Sequence, residues 1–356
     1  MNTETNEMRQ MIADTADRIF RDLCEPDVVN AAESGIWPTE LWNTIEESGM
    51  TQIAVPEEHG GGGGSIGDAM IVLRAAGAYS VPLPLAETML AGIALSSAGQ
   101  TVPGGPLGFA LPVDDEIVTL AQAGDDYVLN GSVGQVAWAI PGGQLVVIAD
   151  MDGQECVALV DADAADIDAG INLAGEPRST VTFDGSKVTA CAPLGNQVDG
   201  ETLFKLGALA RSIMMAGALE SMLEMTVQYT MDRVQFGRPI AKFQAVQHAM
   251  AVIAGEVAAA KTAADVAVHL LEAGEPGLLI EAAKARTSEA AGIAAELAHQ
   301  AHGAMGFTHE HNLHHRTRRL WSWREEYGSE FYWQKVIGRT VSKAGGDGLW
   351  KAISDT

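Results

Sequence analysis

The spacing of apolar residues divides the chain into three segments. In the first, apolar side chains recur every three or four positions, as at Trp37, Leu41 and Ile45, which predicts amphipathic helices. Five consecutive glycines at 60–64 precede a second predicted helical stretch over 65–98. No Lys-Ser or Lys-Thr pair follows these glycines, so we interpret them as a flexible or tight connector rather than a phosphate-binding loop.

The middle segment, from about residue 105 to 198, has short apolar runs instead. They are Ile117–Leu120, Tyr127–Leu129, Leu145–Ile148 and Val157–Val160. Turn-forming pairs, including Asn130-Gly131 and Asp184-Gly185, separate the runs. Short strands at regular intervals predict a small antiparallel sandwich or barrel.

From about residue 201 the helical spacing returns. Phe243, Val246, Met250, Ile253 and Val257 form an apolar stripe. A Gly-Glu-Pro-Gly break at 274–277 separates this helix from an alanine-rich one, and so short a connector favours antiparallel packing. The sequence therefore predicts a mostly helical α+β fold of three domains: N-terminal helical (1–105), middle β (106–198) and C-terminal helical bundle (199–356).

Charge and cysteine content narrow the function classes. The formal net charge is −25, from 22 Lys+Arg against 47 Asp+Glu, which argues against nucleic-acid or anionic-membrane partners. One basic cluster, Arg316, Arg318, Arg319 and Arg324, is either a local phosphate-binding patch or a solvated face. The three cysteines are widely spaced, and the polar N-terminus lacks signal-peptide features. We expect a cytoplasmic protein without disulfides or a membrane span.

Three motifs lie on this framework. The first is Val55-Pro56-Glu57-Glu58-His59-Gly60-Gly61. The second runs from Arg233-Val234-Gln235-Phe236-Gly237 through Ile240 to Phe243-Gln244-Ala245-Val246-Gln247. The third is Gln300-Ala301-His302-Gly303-Ala304-Met305-Gly306. In order and separation they resemble the motifs of the acyl-CoA dehydrogenases.

This resemblance implies a C-terminal four-helix bundle, dimers or dimers of dimers, and FAD bound across a subunit interface. The residues that it assigns to FAD are Arg233, Gln235, Phe236, Ile240, Phe243, Gln247, Gln300, Gly303, Ala304 and Gly306. The chemistry agrees, because a guanidinium pairs with pyrophosphate, glycine admits close backbone N–H groups and an aromatic ring packs on adenosine. The alternatives are a structural ion pair of Arg233 with Asp232, and core positions for the two phenylalanines.

The sequence departs from the family where catalysis takes place. The family's base is a glutamate in a Tyr-Glu-Gly-Thr-like loop, and Tyr327 stands in its place within Glu326-Tyr327-Gly328-Ser329. The family's other base position falls on Gly207, and its acyl-CoA contacts fall on Lys205 and Ala208. In the middle domain the flavin-contacting Trp-Ile-Thr element is replaced by Trp138-Ala139-Ile140.

The motifs for the adenosine half of the FAD site are complete, whereas those for the flavin-ring half are incomplete. In this combination the chain resembles the smaller subunit of α2β2 acyl-CoA dehydrogenases. The resemblance implies a homologous catalytic partner, acyl-CoA bound through the complex, and electron-transfer flavoprotein as the electron acceptor. Two alternatives remain open. One is a homomeric dehydrogenase whose base is displaced to Glu325 or Glu326, and the other is a flavin-free structural or acyl-binding subunit.

A histidine-rich stretch, His309, His311, His314 and His315, has the spacing of possible metal ligands. No cysteine or aspartate completes the set, so we predict a helix-surface or interface role and no metal.

Overall fold

The computed structural model describes residues 3–195 and 197–354. The chain is 57% helical around a central β-sheet, which confirms the predicted mostly helical α+β fold. The α-helices of the described residues are α1 (Thr3–Leu23), α2 (Pro26–Glu33), α3 (Thr39–Glu47), α4 (Ile66–Tyr79), α5 (Leu85–Ser97), α6 (Gly200–Asp232), α7 (Gln244–Glu272), α8 (Leu279–His302), α9 (Leu313–Trp323) and α10 (Glu330–Ser354).

The β-strands lie mostly between α5 and α6. They are β1 (Leu107–Ala110), β2 (Val118–Ala123), β3 (Asp126–Ala137), β4 (Gln144–Met151), β5 (Gln154–Asp161), β6 (Asp166–Asp168), β7 (Arg178–Lys187), β8 (Ala190–Pro193), β9 (Val234–Gln235) and β10 (Arg238–Pro239). The first eight form one sheet in the order β6-β7-β3-β1-β4-β5-β8, with β2 paired to β3 and β4. Because β1 also pairs with both β3 and β4, four strands close into a barrel-like ring.

Contacts group the chain into two compact units. One comprises residues 1–30, 70–81 and 208–356 and is helical apart from the β9–β10 hairpin; the other comprises 31–69 and 82–207 and contains the sheet. The core of the sheet unit comes from alternate positions of its strands, including Leu129, Val147, Val160 and Phe183.

Two details of the predicted sheet were wrong. The β1–β4 and β2–β4 pairings are parallel, so the sheet is mixed. The pairs Asn130-Gly131 and Asp184-Gly185, predicted as turns, lie inside β3 and β7. The register skips Gly185 between the Leu129–Ser186 and Asn130–Asp184 pairs, and its φ of 66° forms a bulge. Glycine can therefore mark an irregular strand as well as a turn.

The predicted helix over 65–98 is interrupted. Ser80 has a left-handed φ of 58°, and Pro82 and Pro84 follow it, so α4 ends before α5 begins. The glycine run at 60–64 is a tight connector, because a Cβ on Gly61 would lie 2.1 Å from the Val55 carbonyl oxygen.

Within the helical unit, two glycines permit a close backbone approach. A Cβ on Gly217 of α6 would lie 2.0 Å from the Arg74 carbonyl oxygen of α4, and a Cβ on Gly77 would lie 2.0 Å from the Met214 carbonyl oxygen. Among the described helices, α6 is long and apolar enough to cross a bilayer, but 83% of its apolar window is buried. Such burial is typical of a core helix.

The arginine cluster on α9 does not form the expected surface patch. Arg319 is completely buried and donates from Nη1 to the His315 carbonyl oxygen at 3.2 Å. Arg316 donates from Nη2 to the Ala78 carbonyl oxygen at 3.0 Å, and burial lowers the pKa of its guanidinium to about 10. Arg316 therefore joins α9 to α4, and both predicted roles are wrong for the buried Arg319.

Candidate functional site

The β9–β10 hairpin projects the second sequence motif into solvent. Gln235 pairs with Arg238, and the two residues between them, Phe236 and Gly237, have φ values of 52° and 79°. Positive φ at both central positions defines a type I′ turn, which fits the twist of paired strands. A positive φ is disfavoured for phenylalanine. The side chain of Phe236 nevertheless lies in solvent and is 93% exposed. The hairpin holds a large apolar ring away from the core.

Neighbouring side chains form the base of this hairpin. The Phe236 and Phe243 rings are 6.1 Å apart and nearly perpendicular, and the Arg238 guanidinium lies 4.3 Å from the Phe243 ring centroid. Ile240 donates its N–H to the Arg233 carbonyl oxygen at 2.8 Å, and Gln247 Nε2 donates to the Ala241 carbonyl oxygen at 3.0 Å.

The structure does not support the alternative roles, which were an Arg233–Asp232 ion pair and core positions for the two phenylalanines. Arg233 is exposed and forms no ion pair among the described residues, while Asp232 accepts from Gln228 Nε2 at 2.8 Å. Gln235 is also exposed, and Phe243 is only partly buried. Exposed guanidinium, amide and aromatic groups therefore lie together on one hairpin.

The third motif forms the end of α8 and the 3-10 helix Gly303–Phe307 that follows. Gln300, Gly303 and Ala304 are exposed, and a Cβ on Gly303 would meet nothing within 4 Å. Gly306 is different, because it is buried and a Cβ there would lie 3.0 Å from the His302 Cβ. Internal packing alone explains glycine at 306.

A stacked pair joins the two motifs. The Tyr229 ring lies 4.3 Å from the His302 ring, and its hydroxyl donates to the His302 carbonyl oxygen at 3.2 Å. The carbonyl oxygen of Tyr229 accepts from the Arg233 N–H at 2.9 Å. The hairpin and the end of α8 are therefore at the same end of the helical unit.

Residues of three helices contact the loop between α9 and α10. Tyr327 has a left-handed φ of 52° and Gly328 a φ of 87°. Arg211 of α6 donates from Nε to Glu326 Oε2 at 2.7 Å, and its guanidinium lies 5.8 Å from the Tyr327 ring. Trp333 of α10 donates from Nε1 to the Tyr327 carbonyl oxygen at 2.9 Å. Tyr327 therefore occupies a fixed position.

Lys284 of α8 supplies the third contact. It is fully buried and donates from Nζ to the carbonyl oxygens of Arg324 and Gly328, at 2.8 and 2.7 Å. Burial lowers the pKa of this ammonium group to about 7, against the opposing charges of Glu326 and Glu325.

The sequence reasoning missed Arg211 and Lys284. Arg211 is an isolated cation within an apolar stretch, Leu209-Ala210-Arg211, whereas Lys284 has Glu281 and Arg286 close to it in sequence. A lone charge on the buried face of a helix requires partners, and that pattern could have identified Arg211.

In the sheet unit, Trp138 follows β3 with a left-handed φ of 59°. Its ring contacts Trp37 edge-on, with the centroids 6.1 Å apart. The backbone N–H of Trp138 donates to the Pro177 carbonyl oxygen at 3.3 Å. The segment that replaces the Trp-Ile-Thr element is thus packed within its own unit.

Two of the four histidines in the stretch at 309–315 are buried, so the predicted surface role is wrong for His314 and His315. His315 Nε2 lies 2.9 Å from Asn30 Oδ1. Burial lowers the pKa of His302 to about 4 and of His315 to about 3, so both rings are neutral at pH 7. No group of three His, Cys, Asp or Glu side chains arranged for a metal occurs in the described part of the chain.

Comparisons with known proteins agree with the fold. The family model for the acyl-CoA dehydrogenase N-terminal domain matches residues 6–101, and that for the acyl-CoA dehydrogenase C-terminal domain matches residues 195–340. Acyl-CoA dehydrogenase IpdE2 of Mycobacterium tuberculosis is 32% identical over 321 residues, covering 86% of this chain and 89% of the relative. The protein of the same name from Mycolicibacterium smegmatis is 29% identical over 316 residues, covering 86% and 90%.

Among solved structures, the ChsE4–ChsE5 complex from Mycobacterium tuberculosis matches with a TM-score of 0.87 at 24% identity. The alignment covers 97% of this chain and 99% of that chain. This likeness establishes the shared fold.

Proposed function

Since the chain belongs to the acyl-CoA dehydrogenase family, we propose that it is the non-catalytic subunit of a heteromeric, FAD-dependent acyl-CoA dehydrogenase. FAD is the cofactor of this family. The chain binds the adenosine and pyrophosphate end of FAD held mainly by a homologous catalytic subunit, in a cytoplasmic complex of α2β2 type that oxidises an acyl-CoA thioester.

One observation carries the proposal. Phe236 is 93% exposed on a left-handed turn, whereas Tyr327, at the position of the family's base, lies in a loop that three neighbouring helices contact through Glu326, Tyr327 and Gly328. An exposed aromatic ring in a disfavoured conformation is explained by a ligand or partner that covers it. A phenol locked at the base position leaves the chain without the usual proton acceptor.

The exposed groups of the hairpin and of the α8 end suit the adenosine half of FAD. The Arg233 guanidinium can pair with pyrophosphate oxygens, and Phe236 offers a ring face to the adenosine. Gly303 leaves its backbone open to a close approach, since nothing lies within 4 Å of a Cβ built there. Gln300 is exposed beside it and offers an amide for hydrogen bonding. These residues bind and orient the cofactor.

Bound FAD would supply a hydride acceptor for the β-carbon of the acyl chain, and the reaction also needs a carboxylate that removes the α-proton. The carboxylates nearest the base position in this chain are unsuited to that task. Glu326 is paired with the buried Arg211, which stabilises its anionic form, and the Glu325 side chain is 63% exposed beside Arg324. The catalytic partner therefore supplies the base.

The relatives are compatible with such an assembly. Both IpdE2 proteins are named acyl-CoA dehydrogenases, and the ChsE4–ChsE5 structure is that of a complex of two different chains. Electrons leave the complex through an electron-transfer flavoprotein.

The test is to express the chain alone and together with an acyl-CoA dehydrogenase encoded beside its gene. We expect an oxidised-flavin absorption band and a heterotetrameric native mass only for the co-expressed pair. Arg233→Met in this chain should lower the flavin content of the complex, whereas Arg339→Met, on the exposed face of α10, should leave it unchanged.

A fully flavin-loaded, active homomer purified from this chain alone would falsify the proposal. Glu325→Gln and Glu326→Gln would then be examined for loss of turnover. A heteromer without flavin would support the structural-subunit alternative instead.

A further inference from the structure

A groove of about 930 Å³ lies in the helical unit beside the third motif. One wall is the face of α8 that bears Glu289, Ile293 and Glu296, and another includes Trp321. Gln300 and Gly303 also line it, so the groove continues the surface that we assign to FAD.

Carboxylates outnumber cations around the groove. The ion pairs are Arg286 with Glu256 and Glu289, and Arg324 with Glu325 and Glu330. Glu296 is exposed and forms no ion pair within the described ranges. Of the charged side chains that line the groove, Glu289, Glu296 and Glu330 are carboxylates and Arg324 is a guanidinium, which leaves a surplus of two negative charges. Such a surplus attracts a cation.

The groove also has an aromatic wall. The His299 ring is stacked between Phe307, at 4.4 Å and 25°, and Trp321, at 5.4 Å and 13°. Phe307 is 73% exposed, although His299 is only 6% exposed. Burial lowers the pKa of His299, so the stack carries no positive charge at neutral pH and its faces can accept a cation.

We propose that this groove receives an arginine side chain of the catalytic partner subunit, stacked on the Phe307–His299–Trp321 wall and paired with Glu296. A guanidinium group combines a planar face, which stacks on aromatic rings, with a fork that pairs with a carboxylate. A lysine ammonium is a point charge with neither the planar face nor the fork, and an apolar side chain cannot pair with the carboxylate. The inference rests on the proposed function, because it needs a partner subunit at the adenosine end of FAD.

Affinity of this chain for the FAD-loaded catalytic subunit tests the pairing. Glu296→Lys should weaken assembly at least about tenfold and reduce its dependence on salt, because it repels the arginine. Trp321→Leu should also weaken assembly, by removing part of the stack. Glu275→Lys, an exposed carboxylate in the α7–α8 connection, is the matched control and should bind like the unmodified chain.

A photo-crosslinking residue at Ile293 identifies the occupant directly. A crosslink to an arginine-containing segment of the catalytic subunit is the expected result. Unchanged assembly with a lowered flavin content in Glu296→Lys would assign the groove to the adenine ring and overturn the proposal. A crosslink between two copies of this chain would do the same.

The two proposals fail differently. If the unmodified chain and the catalytic subunit do not assemble, the proposed function itself is wrong. If they assemble and Glu296→Lys changes neither affinity nor salt dependence, only the arginine groove is wrong. Thermal unfolding of Glu296→Lys, expected to match that of the unmodified chain because Glu296 is exposed, excludes a general loss of folding.

Discussion

Arg211 on α6 donates from Nε to Glu326 Oε2 at 2.7 Å and thereby ties the first helix of the C-terminal bundle to the loop before α10. The arginine side chain is 2% exposed and that of the glutamate 18%. Removing one partner of a mostly buried pair leaves the other charge uncompensated.

We therefore expect Arg211→Met to lower the free energy of unfolding by about 2–3 kcal/mol, measured by urea denaturation. The Arg211→Met/Glu326→Gln double variant should recover part of that loss, because no unpaired carboxylate remains. Glu325→Gln is the control, and we expect a change below about 0.5 kcal/mol because its side chain is 63% exposed. Full stability of Arg211→Met would mean that the ion pair does not anchor the loop.

The sequence predicted elements with clear periodicity and missed those that depend on distant partners. The helical stripe from Phe243 to Val257 is part of α7, and the runs at Leu145–Ile148 and Val157–Val160 lie in β4 and β5. The strand β7 was missed, since Asp184-Gly185 resembles a turn until its register with β3 is known. Local spacing carries no information about a bulge.

The candidate site likewise contains some residues that the sequence could identify and others that it could not. Arg233 and Phe236 could be identified because their motif is contiguous in sequence. The contact of Arg211 with Glu326 joins residues 115 positions apart, and only the packing of α6 against the α9–α10 loop brings them together. Sequence alone could identify the lone cation but not its partner.

The titration of Lys284 should make stability depend on pH in the alkaline range. Burial lowers the pKa of Lys284 to about 7, whereas an unfolded lysine titrates near pH ~10.4. Between these values the unfolded chain binds a proton that the folded chain lacks, so this group's contribution to stability rises with pH. Below about pH 7 both states are protonated and the contribution is constant.

Lys284→Met removes that titration. We expect the slope of unfolding free energy against pH, between about 7.5 and 9.5, to fall by up to about 1.4 kcal/mol per pH unit. Lys261→Met, whose side chain is 48% exposed, should leave the slope unchanged. Equal slopes for all three proteins would show that Lys284 remains charged throughout.

His302 should make the fold sensitive to acid. Burial lowers the pKa of its ring to about 4, so the unfolded chain binds more protons once the pH falls below about 6.5. Stability is then lost progressively between about pH 6.5 and 4. His302→Phe keeps a ring against Tyr229 and should reduce the loss between pH 7.5 and 5 by about 2 kcal/mol. The exposed His248→Phe is the control, and an identical loss in both variants would contradict the argument.

Two glycine-to-alanine substitutions should have opposite effects. A Cβ on Gly217 would lie 2.0 Å from the Arg74 carbonyl oxygen, so α4 and α6 must separate, and we expect a loss of about 3 kcal/mol. Gly255, inside α7, has nothing within 4 Å of its Cβ position, and alanine there should stabilise the helix by up to about 1 kcal/mol. Thermal unfolding of the isolated chain measures both, and similar effects would rule out the close α4–α6 contact.

Phe236 should show a trade between stability and cofactor binding. Its φ of 52° costs about 1 kcal/mol for phenylalanine, whereas asparagine before glycine favours the type I′ turn. Phe236→Asn should therefore raise the melting temperature of the isolated chain while lowering the flavin content of the complex with its catalytic partner. Phe236→Tyr keeps both the ring and the disfavoured backbone, so neither quantity should change. If Phe236→Asn stabilises the chain and the complex retains its full flavin content, the exposed ring serves a contact other than FAD.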